Sequence, residues 1–130
     1  MGPSAKLEIR SALDGVRMLI VEDNFLILAD LEATLVDAGA DVVGLCRTAK
    51  DAIATLDRQP VAAAVLDFQL VGHTSMPVVR ELIQRGIPFL FYTGQLDGDQ
   101  IRAEWPGCTI VSKPSPVEVV VEAVAGLLDR

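Results

Sequence analysis

The chain has 130 residues, enough for one domain with its own core; 51% of them are hydrophobic and only 5% are aromatic. Its formal net charge of −7 argues against direct binding to nucleic acid or to an anionic membrane surface. No segment approaches the roughly 20 apolar residues that span a bilayer, and Met1–Lys6 lacks the apolar part of a signal peptide. We therefore expect a cytoplasmic protein. Cys46 and Cys108 have no metal-binding or redox spacing and are interpreted as reduced.

Strand-like and helix-like segments alternate along the chain after a polar start. We predict a loose lead-in over residues 1–15 and a single domain over residues 16–130. The predicted strands are apolar runs at residues 16–21, 41–46, 61–67, 87–92 and 108–112. The predicted helices cover residues 25–38, 49–58, a third segment up to Gly86, a short fourth segment within residues 95–107, and a last segment from residue 116.

Capping residues set several of these helix boundaries. Thr48 and Ser75 are suitable N-caps. Gly39 can adopt the left-handed conformation that ends the first helix, and the third helix is predicted to end at Gly86. The segment Ser115–Glu118 reads as a capping box with proline at the first helical position. The fourth helix is predicted to have little more than two turns, because aspartate, glycine and proline interrupt residues 95–107.

The alternation of strands and helices predicts an α/β fold, a doubly wound parallel sheet of five strands with helices on both faces. Right-handed crossovers leave few topologies, of which the flavodoxin-like order 2-1-3-4-5 is the commonest for five strands. That order places the carboxyl ends of strands 1 and 3 side by side, where open sheets of this kind bind their ligands.

Polar side chains follow four of the predicted strands. The third strand ends in Asp67, which alone fits a turn residue as well as a functional one. Glu22 and Asp23 follow the first strand, Thr93 follows the fourth and Lys113 follows the fifth. Such a coincidence favours a common site at the carboxyl edge of the sheet.

The chemistry of these groups fits the binding of a phosphoryl group. Three carboxylates in one cleft repel one another, and a hard divalent cation, above all Mg²⁺, relieves that repulsion. Lys113 adds a positive charge and Thr93 adds a hydroxyl donor. Because aspartate can accept phosphate covalently, these groups predict phosphorylation of Asp67.

The ordered set Glu22-Asp23, Asp67, Thr93-Gly94 and Lys113-Pro114 resembles the motifs of bacterial response-regulator receiver domains. The resemblance covers residues 16–128. It implies that the protein takes a phosphoryl group from phosphohistidine in a sensor histidine kinase or a histidine phosphotransfer protein. It also implies a switch in the binding of a downstream regulatory protein and no enzymatic activity beyond phosphorylation and dephosphorylation of Asp67.

The resemblance further assigns roles to single residues. Asp23 and Asp67 would bind Mg²⁺ directly, Glu22 would act largely through water, and the backbone carbonyl of Gln69 would be another ligand. Lys113 would pair with the phosphate. The Lys113–Pro114 bond would be cis. Thr93 would move to donate a hydrogen bond to the phosphate.

The chain departs from the receiver pattern at the residues that transmit phosphorylation. Receivers usually carry an aromatic residue three positions before the lysine, where this chain has Ile110. The segment Phe91-Tyr92-Thr93-Gly94 resembles the Phe-Ala-Thr-Gly signature of a subgroup of stand-alone receivers, with Tyr92 in place of alanine. Tyr92 could take part of the missing aromatic's role or serve only in packing.

Three other functions are compatible with parts of the pattern. A phosphate sink or relay intermediate would accept phosphate without an output. An aspartyl-nucleophile phosphatase of the haloacid dehalogenase type needs a second aspartate two residues after the nucleophile, where this chain has Gln69. A flavin-binding module needs a glycine- and hydroxyl-rich loop after strand 1, where the chain has Glu22-Asp23-Asn24.

Overall fold

A computed structural model describes residues 11–129 and contains a five-stranded parallel sheet. The strands in chain order are β1 Arg17–Val21, β2 Asp41–Cys46, β3 Ala63–Leu66, β4 Phe89–Thr93 and β5 Thr109–Ser112. The helices are α1 Phe25–Asp37, α2 Ala49–Arg58, α3 Met76–Arg85, α4 Gln95–Glu104 and α5 Val117–Leu127. The strands are ordered β2-β1-β3-β4-β5, which confirms the predicted flavodoxin-like fold.

The sheet separates two hydrophobic cores. Helices α1 and α5 pack on one face, and helices α2, α3 and α4 pack on the other. All four residues of β3 are buried, and they alternate between the two faces as the period of a strand requires. Ala63 and Val65 join the α1–α5 core, whereas Ala64 and Leu66 join the other. A strand buried on both faces explains why this run contains no polar residue before Asp67.

Two of the predicted helix boundaries are reproduced in detail. The Thr48 side chain accepts a hydrogen bond of 3.1 Å from the Asp51 amide at the start of α2. Helix α3 ends at Gly86, which has the left-handed φ of 69°. Glycine suits this position because a side chain would be strained at positive φ.

Ser75 is the N-cap of α3, as predicted, although its side chain makes no capping hydrogen bond. One predicted cap differs from the structure. The last helix has Pro116, rather than Ser115, at its N-cap. The Ser115 hydroxyl instead donates to the carbonyl of Ser112. The Ser115–Glu118 segment therefore does not form the predicted capping box.

The fourth helix is short, as predicted, but Gly98 does not interrupt it. Helix α4 has ten residues, the same length as α2 and α3. Gly98 lies inside it and is buried, so it is not a helix terminator. A Cβ at this position would lie 3.5 Å from Cγ2 of Ile110, so the helix backbone closely approaches β5. Tertiary packing has outweighed the low helix propensity of glycine.

The loop after β3 contains a small hairpin. Gln69–Leu70 and His73–Thr74 pair as two short antiparallel strands. The His73 ring joins this hairpin to α2, because its Nε2 accepts a hydrogen bond of 3.2 Å from the Ala49 amide. The hairpin directly after Asp67 is thus held against the start of a helix.

The predicted lead-in over residues 1–15 falls mostly outside the described residues. Of the described part, Leu13 is fully buried in the α1–α5 core and its amide donates to the carbonyl of Ala38. Within residues 11–129, no helix has the length and apolar character needed to cross a bilayer.

Candidate functional site

The carboxyl edge of the sheet brings together side chains from four strands. Glu22 directly follows β1, Asp67 follows β3, Thr93 ends β4 and Lys113 follows β5. The Lys113 ammonium lies 2.5 Å from Oε1 of Glu22 and 3.1 Å from Oδ2 of Asp67. The Thr93 hydroxyl donates to Oδ1 of Asp67 at 2.9 Å. Both oxygens of the Asp67 carboxylate therefore have a donor, and the donors come from different strands.

Burial acts in opposite directions on the pKa values of Glu22 and Lys113. Glu22 is only 1% exposed, and burial raises its pKa in spite of the hydrogen bonds that it receives from Lys113 and the Asn24 amide. Burial alone would lower the pKa of Lys113, but its hydrogen bonds and attraction to Glu22 and Asp67 outweigh that effect and raise it. Lys113 therefore remains an ammonium group in this site.

Three carboxylates form a possible cation site beside this ion pair. Glu22, Asp23 and Asp67 each offer a ligand atom, and these atoms lie within 4.8 Å of one another. Oxygen donors at this spacing suit a hard divalent cation, and the single ammonium leaves an excess of negative charge. Gln69 lies two residues after Asp67, and its side chain donates to the carbonyls of Leu70 and His73. Ligation by its own carbonyl stays a prediction.

Arg47 is a neighbour of the site that no sequence pattern indicates. Its guanidinium donates twice to the backbone carbonyl of Asp23, at 3.2 and 3.0 Å. Arg47 is exposed and 24 residues away in sequence, so its type and position resemble those of an ordinary surface charge. These hydrogen bonds fix the loop that carries Asp23.

Asp97 is a second residue that the sequence did not indicate. It lies in the first turn of α4, and its Oδ2 is 3.5 Å from the Thr93 hydroxyl. The same hydroxyl is 2.9 Å from Asp67, so two carboxylates face one donor. The sequence does not reveal this contact, because proximity between a strand end and the following helix leaves no periodic pattern.

Tyr92 and Ile110, the two residues of altered type, lie on opposite faces of the sheet. Tyr92 packs against the α1–α5 core, and its ring centroid is 5.5 Å from the Lys113 ammonium. Its hydroxyl accepts a long hydrogen bond of 3.4 Å from the Ser115 amide. Ile110 packs on the other core, beside Gly98 of α4. The Lys113–Pro114 bond that precedes Ser115 is cis, as the resemblance implied.

The fold has counterparts among solved structures. SdrG from Sphingomonas melonis Fr1 is 37% identical, with a TM-score of 0.76 over 91% of this chain and 98% of that chain. A response regulator receiver protein from Sinorhizobium medicae WSM419 is 25% identical, with a TM-score of 0.76 over 88% of this chain and 95% of that chain.

A curated protein also matches in sequence. Sensor protein TorS from Escherichia coli (strain K12) is 28% identical over 120 residues, which are 89% of this chain but 13% of TorS. The chain likewise covers 53% of the response regulator PhyR from Brucella abortus, at 25% identity and a TM-score of 0.80. No family model matches the chain.

The solved structures share the fold over most of this chain. The chain belongs to the response-regulator receiver domains.

Proposed function

We propose that this receiver domain accepts a phosphoryl group on Asp67 as part of a two-component or phosphorelay system. The observation that carries the proposal is the environment of the Asp67 carboxylate. Its side chain is 11% exposed and lies between the Lys113 ammonium and the Thr93 hydroxyl. A carboxylate that is reachable from solvent yet supplied with charge-neutralising donors suits a nucleophile in phosphoryl transfer.

The residues have separate tasks in the proposed reaction. An oxygen of Asp67 forms the new bond to phosphorus as the phosphorus–nitrogen bond of phosphohistidine breaks, and the nitrogen leaves with the electron pair. Lys113 neutralises charge on the transferred group, and Thr93 donates a hydrogen bond to it. Hydrolysis of the acyl phosphate returns Asp67 to its starting state, so no other substrate is turned over.

A divalent cation fits the carboxylates beside Asp67. Asp23 and Asp67 would hold Mg²⁺ directly, Glu22 would act through water, and the Gln69 carbonyl would complete the protein ligands. When bound, Mg²⁺ would offset negative charge on the carboxylates and on phosphate oxygens. The close spacing of the three carboxylates supports this assignment.

The proposed partners follow from the family. The phosphoryl donor would be a sensor histidine kinase or a histidine phosphotransfer protein in the cytoplasm, and phosphorylation would change affinity for a downstream regulatory protein. Sensor protein TorS and response regulator PhyR are the kinds of protein in which similar domains occur. A role as a phosphate sink or relay intermediate is the second candidate, and the absence of an aromatic side chain at Ile110 favours it.

Phosphate uptake with a small donor tests the assignment. The protein would be incubated with Mg²⁺ and acetyl phosphate, and the covalent adduct would be measured by intact mass. We expect uptake by the natural chain and by Asp30→Asn, a change at an exposed position on α1, but not by Asp67→Asn. Equal uptake by Asp67→Asn would refute Asp67 as the acceptor. Omission of Mg²⁺ should also abolish uptake.

Partner binding separates a switch from a sink. A switch should bind a regulatory protein differently before and after phosphorylation, as measured by pull-down from the source cells. A sink should drain phosphate from its kinase with no such difference.

A further inference from the structure

Helix α4 buries few residues against the sheet near the site. Its buried positions are Gly98 and Ile101, whereas α3 buries Val78, Val79 and Leu82. Gly98 offers no side chain to the core, so Ile101 supplies the buried side chain. Elements with little buried apolar surface are the ones that move at low energetic cost.

One carboxylate connects this helix to Asp67. Asp97 in the first turn of α4 lies 3.5 Å from the Thr93 hydroxyl, which already donates to Asp67 at 2.9 Å. A hydroxyl has a single proton to donate, so Asp97 is the weaker, alternative acceptor. Sharing this hydroxyl keeps the two carboxylates within a few ångströms, well inside the screening length of about 8 Å at physiological salt.

Asp97 forms no salt bridge in the described part of the chain. The ion pairs among residues 11–129 do not include it, and the Lys113 ammonium of the site is held by Glu22 and Asp67. Its favourable electrostatic interaction is with the amino-terminal end of α4 itself. A force on Asp97 is therefore a force on the first turn of this helix.

We propose that Asp97 transmits phosphorylation of Asp67 to helix α4 by charge repulsion, in place of the usual threonine–aromatic route that Ile110 interrupts. This inference rests on the proposed function of Asp67. Phosphorylation replaces a single negative charge with a group that carries up to about two, and it engages the Thr93 hydroxyl. Asp97 then loses its shared donor and faces a stronger negative charge. The first turn of α4 moves away from the strand ends, and the exposed surface of α4 changes with it.

The experiment compares three forms of the protein by amide NMR, each with and without phosphorylation. The variants are Asp97→Asn, which removes the charge but keeps an acceptor oxygen, and Asp99→Asn, the matched control. Asp99 lies on the same helix, is exposed and pairs with Arg102 rather than with the site. Phosphate uptake is measured by intact mass in the same samples, with Mg²⁺ and acetyl phosphate.

We expect phosphorylation to shift the amide resonances of residues 95–101 in the natural chain and in Asp99→Asn. In Asp97→Asn the shift should fall by roughly two-fold or more, because the repulsion scales with the charge at residue 97. Uptake itself should persist in this variant. Raising the salt concentration to about 1 M, where the screening length is about 3 Å, should weaken the response of the natural chain in the same way.

The outcomes separate the two proposals. A natural chain that takes no phosphate refutes the function of Asp67 and the inference with it. Uptake with no response in α4, or an equal response in Asp97→Asn, overturns the inference alone. Loss of uptake in Asp97→Asn also overturns it, because Asp97 would then act in the acceptance of phosphate rather than in its transmission.

Discussion

Lys113 is the residue on which the electrostatic balance of the site depends. Its ammonium is shared by Glu22, which is almost fully buried, and by Asp67, which is largely buried. Two carboxylates so close together repel each other, and this single positive charge lies between them. The structural role of Lys113 in the unphosphorylated protein is therefore separate from its proposed role toward phosphate.

Replacement of Lys113 should destabilise the fold without any phosphorylation. We expect Lys113→Met to lower the free energy of unfolding by roughly 1–3 kcal/mol, less than the 3–5 kcal/mol of a fully buried pair, because Lys113 is 19% exposed. Urea denaturation in the presence of a metal chelator would measure the change. Adding Glu22→Gln should recover part of the loss, since it removes one uncompensated charge. Lys50→Met, at an exposed position on α2, is the control and should have little effect.

The two cysteines should differ in reactivity. Cys46 is buried and Cys108 is half-buried, and burial raises the pKa of both thiols. Because the thiolate is the reactive form, both should react slowly with a disulfide reagent near neutral pH, Cys108 before Cys46. The folded state holds these protons more tightly than the unfolded state does. Stability should therefore decline as the pH rises above the pKa of an unfolded cysteine. A reaction in which Cys46 leads would contradict the assigned burial.

At the scale of single elements, the N-caps of α2 and α3 offer a direct comparison. Thr48 makes its capping hydrogen bond, whereas Ser75 caps by position only. The Ser75 hydroxyl is buried, and it has no hydrogen-bond partner among residues 11–129. The same class of residue at the same helical position thus has opposite energetic consequences.

Alanine substitution should reveal this difference. Thr48→Ala should cost about 1 kcal/mol of stability because an amide of α2 loses its partner. Ser75→Ala should be neutral or stabilise by up to about 1 kcal/mol, because it removes a buried polar group that has no partner. Urea denaturation of both variants gives the two values. A substantial loss in Ser75→Ala would mean that its hydroxyl has a partner, such as a buried water.

The elements that the sequence predicted well are those with a strong local signal. The apolar run before Asp67 and the capping threonine Thr48 act over a few residues, and their periodicity or chemistry is visible in the sequence. The sequence does not show why α4 continues through Gly98, because glycine has a low helix propensity and only its packing beside Ile110 explains how it is accommodated there. The failed capping box at Ser115 has a similar origin, because its hydroxyl bonds to Ser112 instead.

The residues of the site differ in the same way in how well the sequence predicts them. Glu22, Asp67, Thr93 and Lys113 could be predicted because each stands at the end of an apolar strand, and the topology brings strand ends together. Arg47 and Asp97 could not, since their contacts depend on where a loop and a helix turn lie in space.

For the molecule as a whole, the central strands make two cores into one cooperative unit. Alternate residues of β3 belong to the cores on opposite faces, so neither face can be lost without exposing the same strand. A domain of this size with shared central strands is expected to unfold in one step.

Truncation on either face should therefore have the same kind of effect. Leu35→Ala in α1 and Leu82→Ala in α3 remove fully buried side chains from different cores, and each should cost about 2–5 kcal/mol. Trp105 fluorescence and far-ultraviolet circular dichroism should report one coincident transition in both variants. Leu96→Ala, at a position that is 86% exposed, should change stability by less than about 0.5 kcal/mol. Separate transitions for the two signals would show that the faces unfold independently.

The contact between Lys113 and Glu22 joins residues that are 91 positions apart in the chain. No short segment contains the parts of the site, and in an unfolded chain Asp67 is a solvated carboxylate with no fixed neighbours. Acceptance of phosphate, if Asp67 is the acceptor, is therefore a property of the native state alone. The fraction of molecules that can be phosphorylated should follow the fraction folded across a denaturation curve. The amount of phosphate taken up would then measure the amount of correctly folded protein.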